Sequence, residues 1–406
     1  MSGPLDGVRV LDLSRVLAGP HCTRMLSDLG ADVIKVEPPA GDLTRFASPR
    51  VNGLSTYFVQ QNIGKRNMSI DLGAPRGVEL AIELAGQSDI LVENYRAGVM
   101  KRLGLGAEEM TARFPRLIYA SISGYGATGP WVDRRAYASV IAAESGITKM
   151  QGDAHGGGYS NDPLSHADTY TGLELTTAIL AALYQRERTG AGQAIDVSMA
   201  ETMLFVNDLI NGELWDGPED PQAIRNFGTG DMIVFETADG DNIMVSGHPA
   251  ERGTFDFFLK AFDVEELADD PRFADVALRK EHMAELRQLL LDAARKIPDA
   301  ITFEERCSAN NLAVGRIRSA RDLADSDWAA ERGAIAEVSD RGDGTIRIPN
   351  PPWHFSGAEV GFRSQAKFRG EDNRSVLADV LGYDDATIDG LEAQGVLSSR
   401  VPSSSV

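Results

Sequence analysis

Asp168 is the side chain whose setting in this sequence best suits covalent catalysis. It stands just before a segment that predicts a helix running to about residue 184, because apolar residues recur there at helical spacing. An aspartate before such a helix is most often its N-cap. The positive end of a helix also favours the ionised carboxylate, and only that form can attack as a nucleophile. The sequence therefore predicts Asp168 as both the helix cap and a candidate nucleophile.

Three other segments carry side chains that suit a flat, phosphate-bearing ligand. Residues 16–20 (Val-Leu-Ala-Gly-Pro) lie between a predicted strand and a helix, where α/β proteins commonly hold nucleotides, although the GxGxxG pattern is absent. Residues 93–98 also follow a strand, and Lys101 and Arg102 come a helical turn later, where they could meet phosphates or simply be solvated. The arginines of residues 134–137 could likewise meet phosphates or simply be solvated, and Tyr137 adds an aromatic ring.

Metal and serine-hydrolase chemistry find little support. The six histidines include no pair at the i, i+4 spacing of a helical metal site, and GxSxG is absent. Cys22 and Cys307 are far apart and form no CxxC motif, so no structural zinc site is expected and a reducing compartment is favoured. His166, two residues before Asp168, could tune that carboxylate or only pack beside it.

The charge composition narrows the range of partners. The 406 residues include 40 basic and 60 acidic ones, which gives a net charge of −20. Such a surface repels nucleic acids and anionic membranes, so neither is expected as a partner. Phosphates would have to be bound locally by arginine, lysine and backbone N–H groups. Because no apolar run approaches the ~20 residues that span a bilayer and the N-terminal residues resemble no secretion signal, a cytoplasmic location is expected.

The elements that would position these residues alternate between strands and helices. Strands at 8–13 and 33–36 are predicted to enclose a loop at 14–20 and a helix at 21–29, which is a βαβ unit. Further buried-type strands are predicted at 90–93, 117–121 and 195–198. This alternation predicts an α/β fold with an open parallel, Rossmann-like sheet.

The pattern changes after about residue 220. Predicted strands at 232–237 and 242–246 flank Asp239-Gly240, which indicates a hairpin with a type I′ turn. Helical segments follow at about 250–295 and 303–310, and a strand at 345–348 and a helix at 374–381 come later. We therefore predict a large α/β domain at 1–220, a small α+β domain at 225–330, and a C-terminal segment at 331–406.

A series of short motifs occurs in a fixed order along the chain. They are PLDGVRVLDL at 4–13, AGP at 18–20, LGADVIKVE at 29–37, GKR at 64–66, VENY at 92–95, RLGL at 102–105, SGYGATGP at 123–130, DxxTG at 168–172, AILAAL at 178–183 and RTGAGQ at 188–193. Each motif alone is weak, but the succession resembles family III CoA-transferases of the formyl-CoA and carnitine CoA-transferase type. The resemblance is dense over about the first 200 residues and looser beyond them.

This resemblance implies a fold, an assembly and a reaction. In the family the C-terminal segment completes the large domain, the small domain is inserted, and two subunits interlock like links of a chain, so that both contribute to each active site. Acyl-CoA and a carboxylic acid are the implied substrates, with no permanently bound cofactor or metal. Asp168 is the implied catalytic residue. The residues implied to contact CoA are Val16, Leu17, Ala18, Ile70, Asn94, Tyr95, Arg102, Arg135 and Tyr137.

Departures from the formyl-CoA transferase pattern bear on the substrate. Those enzymes have Gln at Leu17, an acidic residue at Ala138, Arg at Pro38 and Lys at Gly73, so two cations and two polar site groups are missing here. Their glycine-rich loop in the small domain has no clear counterpart, residues 247–249 being the nearest stretch. Oxalate and formate are therefore not expected as substrates.

The resemblance implies transfer through an aspartyl anhydride and an aspartyl-CoA thioester on Asp168. Three alternatives stay open. An α-methylacyl-CoA racemase shares the fold but needs a second acid/base, and related racemases have His where Tyr137 stands, whose ordinary pKa of ~10 is too high for easy α-proton abstraction. The others are an intramolecular transferase that moves CoA between two carboxylates of one acid, and a CoA-binding module without chemistry.

Overall fold

The computed structural model describes residues 2–154, 156–218 and 233–401. The chain divides into two compact units. The larger unit consists of Met1–Gln151, Tyr159–Asp208 and Ala329–Val406, and the smaller consists of Gly152–Gly158 and Leu209–Trp328. The expected start of the small domain at residue 225 and the start of the strand predicted at 232 lie outside the described residues.

The first half of the chain alternates strands with helices. In chain order its elements are β1 (Arg9–Asp12), α1 (Ala18–Asp28), β2 (Asp32–Glu37), β3 (Arg50–Val51), β4 (Leu54–Ser55), α2 (Thr56–Asn62), β5 (Arg66–Ser69), α3 (Pro75–Gly86), β6 (Ile90–Glu93), α4 (Val99–Arg102), α5 (Ala107–Arg113), β7 (Ile118–Ser123), α6 (Ala138–Glu144), α7 (Ile147–Ala154), α8 (His166–Thr189), β8 (Ala194–Ser198) and α9 (Met199–Phe205). A short 3₁₀ turn spans Leu43–Phe46.

The second half is richer in short helices. Its elements are α10 (Ile210–Glu213), β9 (Val234–Glu236), β10 (Asn242–Val245), α11 (Phe255–Ala261), α12 (Val276–Glu281), α13 (Met283–Ala294), α14 (Ala300–Ala309), β11 (Val314–Arg316), α15 (Ala320–Ala324), α16 (Asp327–Arg332), β12 (Ile335–Ser339), β13 (Thr345–Pro349), α17 (Asn373–Leu381) and α18 (Asp385–Ala393). Further 3₁₀ turns span Glu265–Asp269 and Pro271–Phe273.

A six-stranded parallel sheet in the order β5-β2-β1-β6-β7-β8 forms the centre of the larger unit. Its inner strands are largely buried because helices cover both faces. Helices α1 and α8 share one apolar core with β1 and β6, and α3, α17 and α18 share the core on the other face. The predicted open parallel α/β sheet is confirmed.

The C-terminal segment is part of this sheet unit. The N–H of Asn67 in β5 donates to Asp372 Oδ2 at 2.8 Å, and the N–H of Ser69 donates to Asn373 Oδ1 at 2.9 Å. Ile70, just beyond β5, forms an antiparallel bridge with Leu397. The expectation that the C-terminal segment completes the large domain is therefore confirmed.

The prediction that residues 14–20 form a loop is wrong at its end, since α1 begins at Ala18. Pro20 is the third residue of the helix. A proline costs little in this first turn because its missing N–H would have no intrahelical acceptor there. Proline therefore did not mark the end of the loop.

The smaller unit holds an antiparallel sheet in the order β11-β10-β9 over an apolar core that includes six phenylalanines. The predicted hairpin is confirmed, because Asn242 of β10 pairs with Glu236 of β9. The predicted type I′ turn is wrong. Only Gly240 in the loop has a positive φ (91°), whereas a type I′ turn needs a second one at Asp239. The loop spans residues 237–241, longer than the two residues of that turn.

Over the part of the chain that the structure describes, no helix is both long and apolar enough to cross a membrane.

Candidate active site

A cavity of about 530 Å³ lies in the larger unit, at the carboxyl ends of its parallel strands. Its walls come from the segments that follow β1 (15–18), β6 (94–97) and β7 (124), and from the first turn of α8. The chain leaves β1 towards β2 on one side of the sheet, whereas β6, β7 and β8 extend on the other. The cavity therefore lies at a topological switch point, the usual ligand site of such sheets.

The loop after β1 is held in a strained conformation. Val16 has a φ of 67°, which β-branched residues rarely adopt. Asn94 brackets the loop, because its Oδ1 accepts the Arg15 N–H at 2.7 Å and its Nδ2 donates to the Arg15 carbonyl at 2.8 Å. Asp42 Oδ2 accepts the Val16 N–H at 3.1 Å. Such strain persists only where the surroundings impose it, and it is common at functional sites.

A fully buried ionic network lies beneath this loop. Lys35 Nζ donates to the Ser14 carbonyl at 3.0 Å and pairs with Asp42 at 3.3 Å. Asp12 accepts from Lys65 at 3.1 Å and from the Ser14 N–H at 2.9 Å. Burial would raise the pKa of Asp12, but Lys65 and Lys35 together lower it to about 2. The network therefore keeps its charges and fixes both ends of the loop.

Lys65 also fixes the first turn of α1. Its Nζ donates to the Pro20 carbonyl at 3.0 Å, to Thr23 Oγ1 at 2.7 Å and to Asn62 Oδ1 at 2.9 Å. Burial lowers the pKa of Lys65 to about 8, although Asp12 acts in the opposite direction. The position of the α1 N-terminus is thus set by a buried ammonium group.

Asp168 faces the N-terminus of α1. The prediction that it caps α8 is wrong, since the helix begins at His166 after Ser165 and Asp168 is the third helical residue. The Ala18 N–H, rather than the N-terminus of α8, lies close enough to the Asp168 carboxylate to favour the ionised form. Burial raises the pKa of Asp168 to about 6, and the Ala18 N–H lowers it in part. Burial therefore changes the pKa more than the helix N-terminus, which was expected to favour the ionised form. At pH 7 the carboxylate is still mostly ionised.

Gly172 allows α8 to approach α1 closely enough for this contact. A Cβ at Gly172 would lie 2.8 Å from the Ala18 carbonyl oxygen and 3.2 Å from the His21 ring. No side chain fits at the first of these distances without displacing backbone. The glycine of the DxxTG motif therefore has a packing role.

His166 contacts a different carboxylate. Its Nδ1 lies 2.5 Å from Asp162 Oδ2, and its ring stacks on Tyr170 with centroids 5.3 Å apart. Of the two roles considered for His166, these contacts favour packing and pairing with Asp162.

The structure brings most of the expected site residues together. Those that line the cavity are Val16, Leu17, Ala18, Asn94, Tyr95, Arg135, Tyr137 and Asp168. Two do not line it. Ile70 is fully buried in the core, and Arg102 is exposed at the end of α4.

Arg15 and Tyr57 are among the cavity residues that the sequence did not single out. Arg15 immediately precedes the 16–20 motif and could have been included with it, and its buried Nε has no hydrogen-bond partner among the described residues. Tyr57, in α2, is a distant residue with no local signal. Its burial and, second, the charge of Asp168 raise the pKa of Tyr57, so the two side chains are electrostatically close.

Comparisons with known proteins show to which family the chain is similar. The model of CoA-transferase family III matches residues 5–373. The chain is 34% identical to mouse succinyl-CoA:glutarate CoA-transferase, over 98% of this chain and 91% of the mouse protein. It is 31% identical to the beta subunit of succinyl-CoA–L-malate CoA-transferase from Chloroflexus aurantiacus, over 97% and 98% of the two chains. A crystal structure of a CaiB/BaiF family protein from Brucella suis superposes with a TM-score of 0.80 at 30% identity, over 94% of this chain and all (100%) of the other.

The chain belongs to CoA-transferase family III and is a transferase. The family resemblance drawn from the ordered motifs is confirmed.

Proposed function

We propose that this protein moves CoA from an acyl-CoA donor to a carboxylic acid acceptor, with Asp168 as the covalent carrier. The observation that carries the proposal is the Asp168 carboxylate, which lines the cavity at the switch point, where the Ala18 N–H favours its ionised form. In this proposal the larger unit binds CoA and performs the catalysis.

The reaction proceeds in four balanced steps. An Asp168 oxygen attacks the donor thioester carbon, the C–S bond breaks, and a mixed anhydride and the CoA thiolate form. The thiolate attacks the aspartyl carbonyl, which gives an aspartyl-CoA thioester and releases the donor acid. The acceptor carboxylate then attacks that thioester carbonyl and regenerates the thiolate and a new anhydride. Finally the thiolate attacks the acceptor acyl carbon, which releases the new acyl-CoA and the free Asp168 carboxylate.

The start of α1 stabilises the charge that develops in these steps. Ala18 and Gly19 are its first two residues, so their N–H groups have no intrahelical acceptors. The Ala18 N–H already meets the Asp168 carboxylate. When the aspartyl carbonyl becomes tetrahedral, the same N–H can donate to the oxyanion at the positive end of the helix. The burial of Asp168 also limits hydrolysis of the anhydride by water.

Short dicarboxylic acids are the proposed substrates, with succinyl-CoA as donor. The mouse and Chloroflexus relatives are named for succinyl-CoA and for glutarate or L-malate. Arg15, Arg96 and Arg135 line the cavity and offer guanidinium groups to CoA phosphates and to a distal carboxylate. The departures at Leu17 and Ala138 continue to argue against oxalate and formate.

We also propose the interlocked homodimer of the family. Helix α8 presents large apolar side chains to solvent at helical spacing: Leu173 is 43% exposed, Leu180 38% and Tyr184 69%. Phe205, at the end of α9, is 79% exposed. A stripe of this kind is typical of a surface that a partner covers. Light scattering of the purified protein should give twice the chain mass, and a monomer would contradict the proposal.

Trapping with hydroxylamine tests the covalent step. The enzyme is incubated with succinyl-CoA, hydroxylamine is added, and peptide mass spectrometry locates the hydroxamate. We expect modification at Asp168 and transfer to glutarate in the wild type, and neither in Asp168→Ala. Glu187→Gln removes an exposed carboxylate from the same helix and should retain both. Full transfer by Asp168→Ala would overturn the proposal.

The same purified enzyme can be used to distinguish the proposed transferase from a racemase. With a branched acyl-CoA in deuterated water, a racemase would place deuterium at the α-carbon without forming a hydroxamate. Among the described residues that line the cavity there is no histidine to act as the second acid/base. We expect no α-deuterium, and rapid exchange would favour the racemase instead.

A further inference from the structure

A second, smaller cavity of about 160 Å³ lies in the larger unit, and arginines dominate its lining. The four are Arg45, Arg50, Arg369 and Arg400. They come from distant parts of the sequence, in a protein whose net charge is −20. None of them belongs to the Asp168 cavity.

The local structure fixes where these side chains meet. Arg45 is part of the 3₁₀ turn, and Arg50 begins the β3–β4 hairpin, which turns at Asn52 and Gly53, both with positive φ (47° and 80°). Arg369 and Arg400 are joined by an antiparallel bridge, in which the Arg400 N–H donates to the Arg369 carbonyl at 2.9 Å. The cluster is therefore built by backbone pairing rather than by chance contact of mobile side chains.

Only one of the four guanidinium groups is neutralised. Arg45 makes a bidentate pair with Glu37, with Nε and Nη2 at 2.7 and 2.6 Å from the two carboxylate oxygens. Arg369 donates from Nη1 to the neutral hydroxyl of Ser69 at 2.8 Å. Within the described ranges, neither Arg50 nor Arg400 has a carboxylate within ion-pair distance.

The cluster carries more positive charge than its one carboxylate compensates. Burial lowers the pKa of Arg369; Glu37 acts against that effect, and the positive charges of Arg45 and Arg400 add to it. Four cations face one carboxylate, so three positive charges are left for a ligand. A monoanionic ligand would leave two of these charges uncompensated, whereas a dianionic ligand would leave one.

We propose that this arginine pocket binds a phosphate group. The planar guanidinium forks of Arg50, Arg369 and Arg400 match the oxygen geometry of phosphate, for which arginine is the preferred partner. The phosphate can come from inorganic phosphate or from the 3′-phosphate of CoA. The 3₁₀ turn separates the pocket from the site of transfer, because Leu43 lines the Asp168 cavity whereas Arg45 and Phe46 line the arginine pocket.

Calorimetric titration with inorganic phosphate at low chloride tests the proposal. We expect saturable binding to the full-length protein, and at least tenfold weaker binding to the double variant Arg50→Gln/Arg400→Gln. Both side chains are exposed, so this variant should fold, and the single variant Arg400→Gln serves if it does not. Arg321→Gln, at an exposed arginine in the smaller unit, is the control for loss of one surface charge, matched to Arg400→Gln, and should bind as the wild type does. Absence of phosphate binding in the wild type, or equal binding in the double variant, would overturn the site.

Competition experiments distinguish the two sources. If CoA displaces phosphate from the Asp168→Ala protein and 3′-dephospho-CoA does not, the pocket holds the 3′-phosphate of CoA. If neither displaces it, the pocket holds free phosphate. The readout is binding rather than transfer, so failure here is independent of failure of the proposed reaction.

Discussion

Besides their aliphatic cores, the two units bury different kinds of residue. In the larger unit Asp12, Lys35 and Lys65 are at most 1% exposed and form the ionic network beneath the loop after β1. In the core of the smaller unit the most deeply buried residues include aromatic rings, with Phe235, Phe258 and Phe303 also at most 1% exposed. Phe303 meets Phe262 edge to face at 5.3 Å.

This difference indicates what each interior is for. Apolar rings stabilise a fold through burial and packing. Buried ion pairs contribute little net stability, because desolvation offsets their attraction. The network of the larger unit instead contacts the Ser14 and Pro20 carbonyls, on either side of the strained Val16, and so positions the N–H that meets Asp168. We interpret the role of this network as positioning that N–H group, a role that the smaller unit does not need.

The largest expected effect comes from Lys65→Met. The substitution removes an ammonium group that donates to Asp12, Pro20, Thr23 and Asn62, and leaves Asp12 incompletely compensated. Loss of one partner of a buried pair costs about 3–5 kcal/mol of unfolding free energy. Denaturant unfolding measures this loss, and hydrogen exchange at β1 and α1 should locate it.

Lys296→Met is the matched control, since that lysine is exposed in the smaller unit. It should change the unfolding free energy by less than about 0.5 kcal/mol. A similarly small effect of Lys65→Met would show that the network does not hold the larger unit together.

The second prediction concerns Asp168→Asn and pH. Burial raises the pKa of Asp168 from 3.8 to about 6, so the folded chain holds this proton more tightly than the unfolded chain does. The stabilisation from this group is thus complete below pH 3.8 and is lost as the pH rises through 6. At pH 7 the ionised carboxylate costs roughly 3 kcal/mol. The neutral Asn should therefore be more stable by that amount at pH 7, with the gain shrinking towards zero near pH 4.

Unfolding free energies at several pH values test this dependence, with mass spectrometry to exclude deamidation back to Asp. A pH-independent difference would contradict the raised pKa. In the wild type, kcat/KM should fall about tenfold per pH unit below 6, because only the carboxylate attacks. The proposed nucleophile is thus a local cost to stability at pH 7.

The parts of the fold that sequence could predict are those with strong local patterns. The strand at 90–93 was predicted with the bounds of β6, since it is a continuous apolar run that starts after a polar segment. Strand β5 was missed because Arg-Asn-Met-Ser carries no strand pattern. The C-terminal segment satisfies part of this strand, since Asp372 and Asn373 accept its backbone N–H groups and the Asn67 side chain accepts the Gly370 N–H. Such a pairing over 300 residues leaves no local signal.

Prediction of the candidate site from local sequence has the same limit. Asp168 and the 16–20 segment were located because the ordered motifs mark them. The cap assignment to Asp168 failed because α8 begins two residues earlier, at His166, and the N–H near the carboxylate belongs to Ala18, 150 positions earlier. Tyr57 was missed for the same reason. Local sequence predicts which residues can do chemistry, and the tertiary packing of α1 on α8 decides which atoms they meet.

The third prediction tests that packing. Gly172→Ala would place a Cβ 2.8 Å from the Ala18 carbonyl and push α8 away from α1. We expect a loss of about 1–3 kcal/mol in unfolding free energy and a ten- to hundredfold lower kcat, since the Ala18 N–H leaves Asp168. Gly390→Ala in α18, where the added Cβ meets open space, should instead stabilise by about 0.5–1 kcal/mol with unchanged transfer. If both variants behave alike, the close approach has no role.

The smallest expected effect is that of Phe303→Leu in the smaller unit. The substitution keeps the site apolar but loses the ring contacts with Phe262 and Phe235, which lie 5.3 and 5.9 Å away. We expect a loss of about 1–2 kcal/mol, independent of pH between 5 and 8, because no titratable group takes part. Denaturant unfolding followed by hydrogen exchange at α14 gives the measurement. A core of rings can repack after one substitution, whereas a network with fixed charge partners cannot. If Lys65→Met costs no more than Phe303→Leu, the buried charges of the larger unit are as replaceable as the rings of the smaller one, and their positioning role is lost.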